Sequence, residues 1–177
     1  MRRLARLRRR CQSVVDGISI PRPFDLERFR GDLAEHRGRP LTLVPLESPT
    51  VPGFPSGMWL ATSTDDYVFY DARTSGLHQR HIILHEVGHM LFGHDDRQLA
   101  DNAVLHNAFD AIHPDAIRRL LGRIHYSNVE EQEAEMVATL LLEAIDDVPP
   151  RSRFTGALAE LERMFGYRTG PGESGRS

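Results

Sequence analysis

The sequence predicts an α+β fold, and the order of its β-prone and helical segments is the main reason. Three β-prone runs lie between residues 41 and 70, and apolar residues recur at helical spacing before and after them. With 177 residues, 40% of them hydrophobic and 27% charged, the chain is long enough for one domain with a sizeable core. We therefore expect a single domain over residues 1–166, followed by a disordered Gly- and Ser-rich tail over residues 167–177.

Composition narrows the classes of function. A formal net charge of -3 and a pI near 6.3 argue against binding nucleic acid over the whole protein, so no direct nucleic-acid partner is expected. The single cysteine, Cys11, excludes an internal disulfide framework and favours a reducing compartment, which predicts a cytoplasmic protein. The basic N-terminus lacks the apolar core of a secretory signal, and no long apolar run follows, so we expect neither export nor a membrane span.

Two helices are predicted before the strands. Leu4, Leu7 and Cys11 recur at helical spacing, with arginines on the other faces, which predicts an amphipathic helix over residues 1–16. Its arginines could form an arm that binds nucleic acid or an anionic membrane, although a solvated face on a docked helix is the commoner outcome. A second helix follows Pro23 and ends at Gly38, a residue typical of C-caps.

The β-prone runs predict a small sheet. Residues 41–46 form the first run, and residues 58–62 and 67–70 form two more that are joined by four turn-forming residues. The short connection predicts a hairpin. Together the three runs are interpreted as a small antiparallel sheet.

Helical spacing returns after the hairpin. Residues 77–92 predict a helix that closes at Gly93, and residues 93–126 are interpreted as a partly helical insertion over one side of that helix. Residues 128–146 give the clearest helical pattern, with small and apolar residues on one face, and prolines at 149 and 150 stop it. A last short helix is predicted over residues 155–165.

The helix predicted over residues 77–92 carries the sequence HEVGH, which fits the H-E-x-x-H pattern of zinc enzymes. His85 and His89 are four residues apart, so their imidazoles lie on one helix face and can reach the same ion. In this pattern Glu86 stands beside the metal-bound water as general base. The uncharged neighbours suit a buried helix that supports a metal, and a core helix with two partnered histidines is the alternative. Gly88 weakens a helix, which indicates that another backbone passes close by.

A catalytic zinc with two histidines needs a third protein ligand. The longer pattern that ends in a third histidine would need His at 95, where the chain has Asp95, and His94 is out of phase. His78 and His81 share the face of His85 but lie farther along the helix axis, where packing or an outer partnership is commoner than ligation.

The acidic start of the later helix supplies better candidates. Ser127 and Glu130 form a capping box, which leaves Glu131 as the preferred ligand on the stripe of small residues. Glu133 is expected to turn away from that stripe, and Glu135 is expected to accept the other ring N–H of a ligating histidine. Replacing Glu133 or His94 should thus leave zinc binding nearly unchanged. The alternative for all these acids is a solvated first turn, favoured by the helix dipole.

The motifs as a set resemble the ImmA/IrrE family of bacterial metallo-endopeptidases, especially its short actinobacterial-type members. The segments HEVGHMLFGH and EQEAEMVATLLL, preceded by PFDLERFRGDLAEHRGRPLTLVPL and a hairpin, carry the resemblance over residues 14–145. It implies a minimal zincin-like fold of the gluzincin kind, with Zn²⁺ held by His85, His89 and Glu131. It also implies a regulatory role in which a helix-turn-helix repressor on a separate chain is cut or inactivated. Glu135 stands where the family has Asn or Asp.

Two functions compete at this point. The leading hypothesis is a zinc-dependent endopeptidase, for which the strand at 67–70 is a candidate edge where an extended substrate could pair. The second is a catalytically silent zinc-containing interaction module, toxin-like or repressor-binding. The residue that stabilises the oxyanion is left open among His106, His113, His125 and Tyr126.

Overall fold

The computed structural model describes residues 2–47, 55–94 and 126–146, and in these ranges the chain has a mixed α+β fold of four helices and a three-stranded sheet. The predicted insertion, except for its ends, the helix at 155–165 and the tail at 167–177 lie outside the described residues. In chain order the elements are α1 Arg2–Val15, α2 Leu26–Arg37, β1 Leu41–Leu46, β2 Gly57–Ala61, β3 Asp66–Asp71, α3 Gly76–Phe92 and α4 Asn128–Asp146.

Local sequence signals set the helix ends. Asp25 and Ser75 are N-caps, since each side chain accepts a hydrogen bond from the backbone N–H three residues further on. Gly38 and Gly93 end α2 and α3 with φ of 68° and 64°, the left-handed conformation that glycine adopts without strain. The ends predicted for these two helices at the glycines are confirmed.

The strand order in the sheet is β1-β3-β2. The predicted hairpin is confirmed, because β2 and β3 pair antiparallel with Trp59 opposite Val68. The prediction of an antiparallel sheet is wrong for β1, which pairs parallel to β3 with Leu43 opposite Val68. The strand expected to be a free edge, β3, is the central strand, with its hydrogen-bonding groups shared between β1 and β2. In this order the hairpin strand that lies at an edge of the described sheet is β2.

The sheet and the helices share one apolar core. Trp59, Phe29, Leu84 and Leu141 are among its fully buried side chains. Asp66, the first residue of β3, is buried, and its carboxylate accepts hydrogen bonds from Trp59 Nε1 at 3.1 Å and from Arg37 of α2. A buried carboxylate with such partners fixes the position of β3 relative to α2.

Helices α3 and α4 approach each other closely at one glycine. A Cβ atom built on Gly88 would lie 2.7 Å from Ala134 Cα and 2.8 Å from the Ala134 carbonyl oxygen, so only glycine fits without movement of the backbone. The close backbone contact expected at Gly88 is therefore confirmed. It places the histidine-bearing face of α3 against the acidic first turns of α4.

Within the described ranges, none of the helices combines the length and the apolar character that crossing a membrane requires.

Candidate metal centre

The two histidines of the HEVGH motif lie on successive turns of α3 and point to one place. Their Nε2 atoms are 3.1 Å apart. A carboxylate from the start of α4 joins them: Glu131 Oε2 lies 3.3 Å from His85 Nε2, and Glu131 Oε1 lies 3.8 Å from His89 Nε2. Two ligands of a tetrahedral zinc ion are about 3.3 Å apart, given bonds of about 2.0–2.1 Å. The three predicted ligands thus lie together at a separation that suits such an ion.

The capping box at the start of α4 explains which glutamate faces the histidines. The Ser127 N–H donates to Glu130 Oε2 at 2.6 Å, and the Glu130 N–H donates to Ser127 Oγ at 3.4 Å. This confirms the predicted box and occupies Glu130 at the helix end. Glu131 lies one residue further round the helix, and its side chain remains 38% exposed, so the site is open to solvent on that side.

Glu135, one turn after Glu131, lies behind His85. Its Oε2 atom is 3.2 Å from His85 Nδ1 and 3.2 Å from His81 Nε2. Burial opposes the charge on this carboxylate, but the hydrogen bonds from the two histidines outweigh burial and lower the pKa of Glu135 to about 2. Since a carboxylate only accepts, His85 Nδ1 carries a hydrogen. Glu135 is therefore placed to accept the other ring N–H of His85, as expected. Its role as the outer partner of a metal ligand stays a prediction.

A second chain of contacts lies behind His89, where the sequence interpretation expected none. His89 Nδ1 is 2.9 Å from His94 Nδ1, and His94 Nε2 is 2.9 Å from Glu133 Oε2. Glu133 also forms an ion pair with Arg10 of α1. The side chains of His94 and Glu133 are only 6% and 5% exposed.

Glu133, which was expected to turn away from the stripe of small residues, was not expected to contact His94, and His94 lies closer to the site than its sequence phase indicated. The left-handed Gly93 ends α3 and turns the chain, so helical phase no longer describes where His94 lies. Helix α1 packs on α4 and creates a second buried face there, on which the Cys11 thiol contacts the Glu133 carbonyl. A glycine followed by histidine at the end of the helix was the available signal for His94.

The protonation states at the site follow from these partners. Burial is the main cause that lowers the pKa of His89 to about 2, and protonation of a neighbouring imidazole would lower it in the same direction, so His89 is neutral. Burial also opposes the charge on His85, but hydrogen bonds to Glu131 and Glu135 outweigh it and raise the pKa of His85 to about 10. The metal-free chain therefore holds a proton on His85 Nε2, between Glu131 and His89. The three ligand atoms surround a position for a cation, and a metal ion would replace that proton.

Glu86 lies beside this position and differs from the other acids. It is 5% exposed, and burial raises its pKa to about 7, although the charge of His85 and the Trp59 backbone N–H act in the opposite direction. Among the described residues its Oε2 atom has no hydrogen-bond partner. The backbone of β2 is close, since a Cβ atom on Gly57 would lie 2.9 Å from Glu86 Oε1. A buried carboxyl with one uncommitted oxygen and a pKa near neutrality suits a general base.

Tyr126 covers His89 from the other side. The two rings are stacked, with centroids 3.5 Å apart and planes 16° from parallel. Tyr126 was one of four residues considered for stabilising an oxyanion, and the structure places its ring on the imidazole face. The other three, His106, His113 and His125, lie outside the described residues.

The residues present fit a zinc ion. Two imidazoles and one carboxylate are a donor set that zinc enzymes use, and each imidazole has an outer partner for its other nitrogen. Comparison of the chain with models of protein families, with curated proteins and with solved structures found no match. The resemblance to the ImmA/IrrE family thus rests on the sequence motifs alone.

Proposed function

We propose that this chain is a zinc-dependent endopeptidase with a minimal zincin-like fold. The observation that carries the proposal is the convergence of His85, His89 and Glu131 on one position beside the buried Glu86. Structural zinc sites are usually closed by four protein ligands, whereas three protein ligands and an adjacent base are typical of catalytic sites. The open side at Glu131 gives a substrate access.

The site residues have separate roles in the proposed hydrolysis. When bound by His85, His89 and Glu131, zinc supplies a Lewis acid that polarises a carbonyl and makes water more acidic. Glu86 Oε2 accepts the proton of the attacking water, because it is the oxygen without another partner. With a pKa of about 7, Glu86 can also return that proton to the amine that leaves. Glu135 and His94 hold the two imidazoles in place.

Strand β2 is the best candidate to bind an extended peptide. Among the described residues it pairs with β3 alone, so its other edge offers backbone N–H and C=O groups to a substrate. The Trp59 backbone N–H reaches Glu86, which brings β2 next to the proposed base. This replaces the sequence interpretation, in which the strand at 67–70 bound the substrate.

The substrate class follows from the family resemblance: a helix-turn-helix repressor on a separate chain, met in the cytoplasm. Helices α3 and α4 carry the proposed metal ligands and pack in the core, so they are not available as a DNA-binding helix pair. An extended segment of such a protein could pair with an edge strand.

Replacing Glu86 by Gln tests the proposal, because the change preserves side-chain size and removes the base. The matched control is Glu35→Gln, on the exposed face of α2. Wild type and both variants would be incubated with zinc and with helix-turn-helix repressors from the source genome. We expect cleavage by the wild type and by Glu35→Gln, and a loss of at least about 100-fold in Glu86→Gln, which should still hold zinc. Tight binding of the repressor by the wild type without any cleavage would favour the silent interaction module.

A further inference from the structure

His94 connects a proposed zinc ligand to an ion pair between α1 and α4, in which the carboxylate is buried and the arginine is exposed. On one side its Nδ1 atom lies 2.9 Å from His89 Nδ1, and on the other its Nε2 atom lies 2.9 Å from Glu133 Oε2. Glu133 is paired in turn with Arg10 of α1, 123 residues away in sequence. The chain of contacts thus runs from the N-terminal helix to the site.

Hydrogen-bonding rules give this chain a direction. The Glu133 carboxylate only accepts, so His94 Nε2 carries the hydrogen and a neutral His94 presents a bare Nδ1. His89 Nδ1 must then donate to His94, which leaves His89 Nε2 without a hydrogen and with its lone pair toward His85 and Glu131. This is the tautomer that a zinc ligand bound through Nε2 needs.

Packing holds the same atoms in place. The His94 ring is stacked on Phe92, with centroids 5.3 Å apart and planes 8° from parallel. The guanidinium of Arg10 lies 4.9 Å from the centroid of the same Phe92 ring. One aromatic side chain therefore supports both ends of the connection, and Glu133 lies between them at 5% exposure.

We propose that Arg10, Glu133 and His94 are positioning residues that lock His89 in the tautomer with the hydrogen on Nδ1. Docking of α1 then completes the metal site, although α1 contributes no ligand to it. The inference rests on the metal-binding part of the proposed function and does not depend on peptide cleavage.

The chain contains a matched control for this connection. Arg8, also on α1, donates to Glu143 of α4 at 3.2 Å, so a second ion pair joins the same two helices. Glu143 lies more than two turns beyond Glu135 and makes no contact with either histidine ligand among the hydrogen bonds of the described residues. Loss of the Arg8 pair should therefore remove one partly exposed ion pair between the same two helices and leave the tautomer of His89 unchanged.

The test compares His94→Leu, His94→Gln, Arg10→Gln and Arg8→Gln with the wild type. In metal-free protein, ¹⁵N NMR of the imidazoles reports which nitrogen of His89 carries the hydrogen. Competition with a chelator then gives zinc affinity, and thermal unfolding shows that each variant is folded. His94→Gln should retain most of the affinity, because its amide can accept from His89 and donate to Glu133.

We expect the wild type to show His89 with hydrogen on Nδ1, and His94→Leu to show a mixture of tautomers and a loss of about 10–100-fold in zinc affinity. Arg10→Gln should lose severalfold, and Arg8→Gln should match the wild type in both measurements. An unchanged His89 tautomer in His94→Leu, or equal effects of Arg10→Gln and Arg8→Gln, overturns the inference. A wild type that cleaves nothing but shows these differences contradicts the proposed peptidase and leaves the positioning role supported.

Discussion

The two proposed histidine ligands are supported in different ways. Behind His85, Glu135 and His81 form a partly exposed pair, with side chains that are 25% and 36% exposed. Behind His89, His94 and Glu133 are 6% and 5% exposed. Both arrangements give the Nδ1 hydrogen of a ligand an acceptor, but only the second does so away from water.

This difference has an energetic consequence. Water can replace a lost partner at a partly exposed ion pair, so such pairs contribute little to stability. A buried polar group whose partner is removed stays unsatisfied and loses its solvation as well. The contacts behind His85 should therefore affect mainly metal affinity. The contacts behind His89 should affect both metal affinity and the stability of the fold. Docking of α1 contributes to the difference, because Arg10 pairs with the Glu133 carboxylate and the Cys11 thiol contacts the Glu133 carbonyl.

The largest expected effect is on zinc affinity and comes from removing Glu131, the proposed ligand that lies near both histidines. Glu131→Ala should lower zinc affinity by more than the roughly 100-fold that the loss of an outer partner costs, because one of three protein ligands is gone. Zinc titration against a competing chelator measures it, with Gln132→Ala as the neighbouring control. Full zinc binding by Glu131→Ala would mean that the third ligand is elsewhere.

The next effect tests the helix contact that aligns both sides. Gly88→Ala would place a Cβ within 2.7–2.8 Å of backbone atoms of Ala134, and we expect it to lower the free energy of unfolding by about 1–3 kcal/mol. Gly31→Ala is the control, since no atom lies within 4 Å of its Cβ position in α2, and it should be neutral or stabilise by up to about 1 kcal/mol. Urea denaturation of the metal-free proteins separates the two. Equal stability of both variants would contradict the close packing of α3 on α4.

The smallest expected effect is the difference in stability between removing the carboxylate behind His89 and removing the one behind His85. In metal-free protein, Glu133→Ala should cost about 1–3 kcal/mol of stability, because it leaves the buried His94 without its acceptor. Glu135→Ala should cost about 1 kcal/mol or less, because water reaches that pair. Both variants should lose zinc affinity by about 10–100-fold. If denaturation shows Glu135→Ala to be the more destabilised protein, burial does not distinguish the two sides in the way we describe.

Helical periodicity predicted much of this arrangement from sequence. The capping box at Ser127 and the phase of α4 directed Glu131 toward the histidines, and Gly88 indicated the close helix contact. These inferences succeed because each depends on one helix, or on one point of contact between two helices.

The errors arose where the answer depended on several elements at once. The parallel pairing of β1 was missed because strands adjacent in sequence were assumed to be adjacent in the sheet. His94 was judged by helix phase, although Gly93 had already ended the helix. Glu133 was placed outside the site because α4 was given a single buried face, whereas α1 buries a second. A single sequence carries no direct signal for which helix covers that face.

Zinc is proposed to bind between His85, His89 and Glu131, and anomalous diffraction at the zinc absorption edge can locate it there. Crystals of the zinc-loaded protein, measured on both sides of the absorption edge, locate the ion without reference to activity. We expect one strong peak within bonding distance of both Nε2 atoms and the Glu131 carboxylate, with Glu86 next to it but not bound. A peak that excludes Glu131, or the absence of any peak at this position in protein saturated with zinc, would contradict it.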